Sequence, residues 1–366
     1  MKILVLFTDV FDLVGGMGVF NRTFVKAIGE ITSNKNFKVE VLSLVDKGNS
    51  SLVNKYITSS NVLYSGFGGN RLFFIIRALV SSLKADKVIF GHINFSFLGF
   101  LMNLFKRKQE RYLVVHGVEA WCKFSLLKKI GLNYIQNILS VSKYTRDEMI
   151  KHNKIKDSKF HIFLNTLDPL YIETVQKNNL NSLSLPSGKM ILCVSRLEKD
   201  SYKNVDLLIK AMPEVLKNIQ DAFCVIVGTG SGRKRLEDLS KSLNLEKKVF
   251  FTGKADLKSL PLYLKKNDVF VLPSTGEGFG IVFLEAMYFE KPCIGARSGG
   301  VPEVIEDGRT GYLVEPNDIN DLSSKIIKLL SDKELSQQMG KEGKVRLEEK
   351  FSFEAFKERL RGIILQ

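Results

Sequence analysis

The run Glu277-Gly278-Phe279-Gly280-Ile281-Val282-Phe283-Leu284-Glu285 sets two carboxylates on either side of a glycine pair. An apolar strand pattern precedes it and a helical pattern follows. The amides of Gly278, Phe279 and Gly280 therefore stand at the positive end of a helix dipole. Glu285 falls about one and a half turns into that helix. A carboxylate there can accept both hydrogen bonds of a vicinal diol such as ribose, while Glu277 can meet sugar hydroxyls. Helix capping accounts for one glutamate but not for the whole arrangement.

Arg196 and Lys203 stand in SRLEKDSYKN, just after another strand pattern. Two cations at one strand end suit a diphosphate, the arginine as a planar fork and the lysine as a point charge. Surface ion pairing is the commoner use of a lone cation. Gly15-Gly16-Met17-Gly18 follows the first strand and puts bare amides at a helix start, where a phosphate can approach. The same glycines also suit a turn with an awkward backbone. His116 follows the strand pattern RYLVV and reads equally well as a core histidine. Asp9 and Asp12 lie near the first strand end, within reach of acceptor hydroxyls, with helix capping as their favoured role.

These residues need strands that end beside them. Apolar runs at 2–7, 38–44, 87–90, 111–115, 137–141 and 159–163 alternate with helical patterns. The rhythm restarts at 190–195 and continues through 222–228, 248–253, 268–273 and 292–296. Such alternation predicts βαβ units and parallel sheets, with ligands collected at the carboxyl ends of the strands. A chain of 366 residues suits two such domains. We place the first at 1–170, a polar linker at 171–188 and the second at 189–350. The last segment, 351–366, is amphipathic and free to pack back on the N-terminal domain.

The composition, 45% hydrophobic and 25% charged, excludes a disordered or collagen-like chain. Cys122, Cys193, Cys224 and Cys293 lie far apart, without the spacing of zinc or redox pairs, and read as buried, reduced thiols. Asp9 and Asp12 interrupt the opening apolar run before a signal-peptide core is complete, and no stretch is long enough to span a membrane. A cytoplasmic protein is expected.

The charge is uneven: residues 1–170 hold 24 Lys and Arg against 12 Asp and Glu, and the remainder 30 against 27. A basic half beside a nearly neutral one suits a partner that only one half touches, either an anionic membrane or nucleic acid. Two segments mix apolar residues with cations. The segment 93–108 reads first as a buried helix. The segment 121–132, with Lys123, Lys128 and Lys129, is the better candidate for an anionic membrane surface.

Taken together, these motifs resemble the retaining GT-B glycosyltransferases that include bacterial mannosyl-, capsule- and lipopolysaccharide-transferases. The resemblance rests on the pair Glu277 and Glu285, on Arg196 with Lys203, on Gly228-Thr229-Gly230, Phe251-Thr252-Gly253 and Gly299-Gly300-Val301-Pro302-Glu303, and on Asp307-Gly308-Thr310-Gly311. Gly15-Gly16, His116-Gly117 and Ser142-Lys143-Tyr144-Thr145 extend it into the N-terminal half. It implies two Rossmann-like domains facing a central cleft, with the acceptor held by the first and a UDP- or GDP-sugar by the second. Arg196 and Lys203 would then hold the donor diphosphate, joined by amides near Gly15 and Gly16, and Glu285 the ribose. Glu277, Gly278, the amides of Phe279 and Gly280, and Ile281 would line the transferred sugar. His116 would approach that sugar, and the backbone of Lys254 and Ala255 would meet the base.

The resemblance further implies retention of anomeric configuration, with a donor phosphate oxygen as the favoured proton acceptor. No Asp-x-Asp pair occurs, so no metal or other cofactor is expected to be essential. A lipid-linked or growing glycan acceptor, used at the inner face of the cell membrane for surface polysaccharide synthesis, completes the expectation, with no nucleic-acid partner. Two other readings compete. A nucleotide-sugar 2-epimerase would need further acid/base groups, and a non-enzymatic basic binding module would not need the constellation in the near-neutral half.

Overall fold

The structure is a computed structural model that describes residues 1–12, 15–33, 36–177, 185–199, 202–255 and 259–365. The chain divides into two compact units, Met1–Pro169 with Phe353–Gln366, and Leu170–Ser352. Of the segment read as a linker, 171–177 lies in a helix and 178–184 lies outside the described residues.

In unit 1 the strands are β1 (Lys2–Phe7), β2 (Lys38–Ser43), β3 (Val62–Gly66), β4 (Lys87–Phe90), β5 (Glu110–Val115), β6 (Asn137–Ser140) and β7 (Phe160–Ile162). The helices are α1 (Gly16–Thr32), α2 (Val53–Tyr56), α3 (Arg71–Lys84), α4 (Ser96–Phe105), α5 (Leu126–Asn133) and α6 (Lys143–Asn153). The strands form one parallel sheet in the order β3-β2-β1-β4-β5-β6-β7. Central strands such as KILVLF and KVIF are buried on both faces, which is why they read as continuous apolar runs. The edge strand β3 alternates buried and exposed, so its run is broken and the sequence pattern passes over it. The C-terminal helix, Phe353–Ile364, packs on α1 in this unit. Its Phe356 ring lies 4.6 Å from Phe163 and 5.9 Å from Phe20, and Lys357 pairs with Glu30 at 2.8 Å.

Unit 2 comprises α7 (Pro169–Lys177), β8 (Met190–Val194), α8 (Val205–Asn218), β9 (Phe223–Val227), α9 (Arg233–Ser242), β10 (Val249–Gly253), α10 (Leu260–Lys266) and β11 (Val269–Leu272). It continues with α11 (Ile281–Tyr288), β12 (Cys293–Ala296), α12 (Val301–Val304), β13 (Gly311–Val314), α13 (Ile319–Ser331) and α14 (Lys333–Lys350). Its sheet is also parallel, in the order β10-β9-β8-β11-β12-β13. The sequence reading passes over β13 as well, because its four residues sit between motif glycines and a helix.

In each unit the strand order reverses once, between β1 and β4 and between β8 and β11. Chain connections on the two sides of such a switch point diverge and leave a crevice at the carboxyl ends of the strands. Gly15 follows β1, Arg196 follows β8 and Glu277 follows β11. The fold therefore brings the sequence candidates to the places where a doubly wound sheet binds ligands.

Candidate functional site

Arg196 and Lys203 leave the end of β8, and Glu277 leaves the end of its neighbour β11. Lys203 Nζ donates to Glu277 Oε1, and the two side chains are only 15% and 12% exposed. Arg196 is exposed. One cation is thus held by a carboxylate while the other faces solvent, and an incoming anion competes with Glu277 for Lys203. Residues 200–201 lie outside the described residues. Beyond them, Thr275 N and Ser274 Oγ donate to the Tyr202 carbonyl at 2.9 and 3.1 Å, and Asn204 Nδ2 donates to Pro273 O at 3.1 Å. The lysine loop is thereby strapped to the glutamate loop.

The 277–280 segment is fixed on its other side by the loop after β12. Gly300 N donates to Glu277 O at 2.8 Å, and Ser298 Oγ to Thr275 O at 2.9 Å. A Cβ at Gly300 would lie 2.2 Å from Gly278 O, so the two backbones approach as only glycine permits. Phe279 turns inward, 3% exposed, its ring edge-on to Phe351 at 5.6 Å. Gly280 then enters α11 at φ 96, left-handed backbone that suits glycine, and no side chain caps the helix. Ile281 opens the helix, and Glu285 lies half-buried within it.

Tyr171, from α7, adds a group that the sequence reading missed. It is 3% exposed, and no hydrogen-bond partner for its hydroxyl is present among the described residues. Burial and the Glu285 charge raise the pKa of that hydroxyl well above the usual tyrosine value, so it remains a donor. It lies in the segment read as polar linker, and sequence pattern gave no signal for it. Nearby, burial pushes the Cys193 thiol up to about 12, keeping it neutral beneath the cation loop.

The loop after β9 supports Arg196. Leu197 N donates to Thr229 O at 3.0 Å and Gly232 N to Leu197 O at 2.7 Å. After β10, Lys254 is exposed and Ala255 half-buried, and residues 256–258 lie outside the described residues.

In unit 1, Gly15 and Gly16 open α1, which has no side-chain cap, and a Cβ on either would meet nothing within 4 Å. Residues 13–14 lie outside the described residues. Asp9 and Asp12 do not cap the helix, contrary to expectation. Asp9 is buried, with its pKa raised chiefly by desolvation, and accepts from the Thr8 hydroxyl at 3.0 Å; Asp12 accepts from Lys47 N at 2.8 Å. The loop after β1 is held instead by Asp46, fully buried, which accepts from the amides of Val10, Phe11 and Asp12 and from the Tyr64 hydroxyl. An aspartate just after the second apolar run was the available signal for it. Beyond β2 and β3 opens a cavity of 560 Å³ lined by Lys47, Gly66, Phe67, Gly68, Asn70 and Phe73.

His116 is half-buried after β5. Its Nε2 lies 3.0 Å from Gly91 O, and its ring meets Phe20 edge-on at 4.8 Å. With Nε2 as the donor, Nδ1 is left as an acceptor. Glu119 holds the turn by accepting from the amides of His116 and Gly117 at 2.5 and 3.2 Å. His92, 8% exposed at the end of β4, is held down at about 4, first by burial, and is neutral.

Lys123 is exposed, and Lys128 and Lys129 are half-buried on α5. The Lys128 ammonium sits 5.8 Å from the Phe124 ring. All four cysteines are free, but Cys122 is exposed, which corrects the expectation that all are buried: its short loop before α5 runs on the surface. Among the described residues, no three or more His, Cys, Asp or Glu gather as a metal would need, and no helix is long and apolar enough to cross a membrane.

Residues 176–346 match the family model of glycosyl transferases group 1. An N-acetyl-alpha-D-glucosaminyl L-malate synthase of Bacillus anthracis is 37% identical over 46% of this chain and 43% of its own length. A GDP-mannose-dependent alpha-(1-6)-phosphatidylinositol monomannoside mannosyltransferase of Mycolicibacterium smegmatis is 33% identical over 42% of each chain. This chain thus spans less than half the length of those two relatives. The Anabaena protein HepE, solved with UDP, superposes with a TM-score of 0.78 over 100% of both chains at 18% identity. That likeness is one of fold, the two-domain α/β fold called GT-B. The match to the glycosyl transferases of group 1, residues 176–346, contains Arg196, Lys203, Glu277 and Glu285.

Proposed function

We propose that this chain transfers a glycosyl group from a UDP- or GDP-sugar to a glycan or lipid-linked acceptor, with retention of anomeric configuration and without an essential metal. The observation that carries the reading is the Lys203–Glu277 pair beside exposed Arg196 at the switch point of unit 2. It lies within the stretch that matches the family. Donor diphosphate would draw Lys203 from Glu277 and sit against Arg196. Glu285 takes the ribose diol, and the backbone at Lys254 and Ala255 the base. Glu277, Gly278, Phe279, Gly280 and Ile281 line the sugar.

As the glycosidic bond loosens, negative charge grows on the leaving diphosphate, and the two cations stabilise it in place of a chelated ion. The acceptor oxygen forms the new bond, and its proton passes to a donor phosphate oxygen. Support for a nucleoside diphosphate comes from the names of the similar proteins, one GDP-mannose-dependent and one solved with UDP. Support for a lipid-linked acceptor, and for a peripheral place on the inner face of the membrane, comes from the phosphatidylinositol substrate in the mannosyltransferase name and from the basic first half.

A panel of UDP- and GDP-sugars, screened by thermal shift and then by release of nucleoside diphosphate, tests the reading. Stabilisation and slow hydrolysis with one sugar are expected. If no nucleotide sugar shifts unfolding, the proposal is wrong.

A further inference from the structure

The chain runs from β3 to β4, from β4 to β5 and from β5 to β6 in the same direction across the sheet of unit 1. Right-handed crossovers therefore put α3, α4 and α5 on one face, where α3 touches α4 and α4 touches α5. None of these three helices carries an acidic residue.

Their outer surface is apolar to an unusual degree. Fifteen large apolar side chains stand exposed among the described residues, ten of them on these helices and only one, Val345, in unit 2. Helix α3 is inverted relative to an ordinary surface helix. Leu72, Ile76, Val80 and Leu83 recur at helical spacing on its solvent side, 48–67% exposed, with Phe73 beside them at 63%, while Ser81 and Ser82 face inward with Phe74 and Ala78. Arg71 and Lys84 stand at its ends, and Arg77 is paired with Glu40 at 2.7 Å. Arg107 and Lys108 follow α4, next to exposed Leu104 and Phe105. On α5, Lys128 and Lys129 follow Leu126 and Leu127, which are 72% and 56% exposed.

We propose that the α3–α4–α5 layer docks on an anionic lipid bilayer, with the α3 stripe in the boundary between headgroups and acyl chains and the cations among the headgroups. An apolar stripe flanked by cations is the pattern of a helix that lies in such an interface. The face does not suit a second copy of the chain, which would bring three helices with cations and no acidic residue of their own against the same three. Nucleic acid offers phosphates to the cations but nothing to the stripe. The surface supplies the place at which a lipid-linked acceptor would be met, and in that respect the inference rests on the acceptor reading above.

Flotation of the full chain with vesicles of mixed phosphatidylglycerol and phosphatidylcholine, against phosphatidylcholine alone, tests it. The wild type should float with the anionic vesicles and not with the neutral ones. Ile76→Ser with Val80→Ser, both exposed positions, should weaken flotation by roughly tenfold or more while thermal unfolding stays in place. Nucleoside diphosphate binding by the same variant should be unchanged, which separates a failed docking surface from a failed donor site. Equal flotation of variant and wild type would overturn the proposal. So would a dimer in sedimentation velocity that the double substitution abolishes, with no vesicle binding by the wild type.

Discussion

Units 1 and 2 are built on the same plan, a parallel sheet whose strand order reverses once, yet they treat their surfaces differently. Unit 2 leaves one large apolar side chain exposed among its described residues, and residues 171–366 are nearly balanced in charge. Unit 1 leaves fourteen exposed among its described residues, and residues 1–170 carry twice as many basic as acidic side chains. Each Leu, Ile or Phe left outside forgoes about 1.5–3 kcal/mol of burial. Ten of the fourteen lie on the helix layer proposed to dock on lipid. Unit 2 concentrates its polar groups instead at the strand ends, where Lys203, Glu277 and Arg196 lie on loops strapped together by backbone hydrogen bonds.

The largest expected effect breaks unit 2 alone. Arg196→Ala or Lys203→Ala should lower transfer by about 10²–10³-fold, since each removes charge from the leaving diphosphate. Circular dichroism and thermal unfolding should remain near the wild type, and near-normal turnover in both variants would remove the donor assignment. The complementary change lies in unit 1. Reversing Lys123, Lys128 and Lys129 to glutamate should weaken sedimentation with anionic vesicles, at about 1 kcal/mol per charge removed near the surface. It should also reduce transfer to a lipid-linked acceptor while donor hydrolysis in solution changes little. Equal loss of hydrolysis would show that the two functions are not divided as described.

A smaller effect separates the units by pH. His92 of unit 1 is held at about 4 in the fold against 6.5 in a free chain. Between those values the unfolded chain binds the extra proton, so stability falls as pH drops from about 6.5 toward 4. Urea midpoints measured from pH 7 to pH 5 should fall in the wild type and fall less in His92→Asn. Identical slopes would mean that the histidine is not buried neutral. The smallest expected effect is none: EDTA should leave transfer unchanged, because cations and amides are proposed to face the diphosphate. Loss restored only by magnesium or manganese would contradict the metal-free reading.

Much of the fold was legible because central parallel strands are buried on both faces and therefore read as unbroken apolar runs. Val62–Gly66 and Gly311–Val314 escaped for different reasons, one being an alternating edge strand and the other four residues between motif glycines and a helix. The unit 2 candidates were legible because glycines and charges gather where strands end. Tyr171 was not, because its segment is polar and only tertiary packing buries it. Asp46 holds its loop through amides thirty-four to thirty-six residues away, a partnership that no local pattern reveals. The stripe on α3 misleads in another way: periodicity marks an apolar face but not whether that face turns inward.

Hydrogen–deuterium exchange of the full chain, with UDP or GDP and separately with anionic vesicles, tests the division of labour most directly. In unit 2, the nucleotide should slow exchange in the loops that carry Arg196, Lys203 and Glu277 and in the first turns of α11. Vesicles should slow exchange in α3 and α5 and leave those loops of unit 2 unchanged. Coincident footprints, or protection of α3 by nucleotide and of the Glu277 loop by vesicles, would contradict the account.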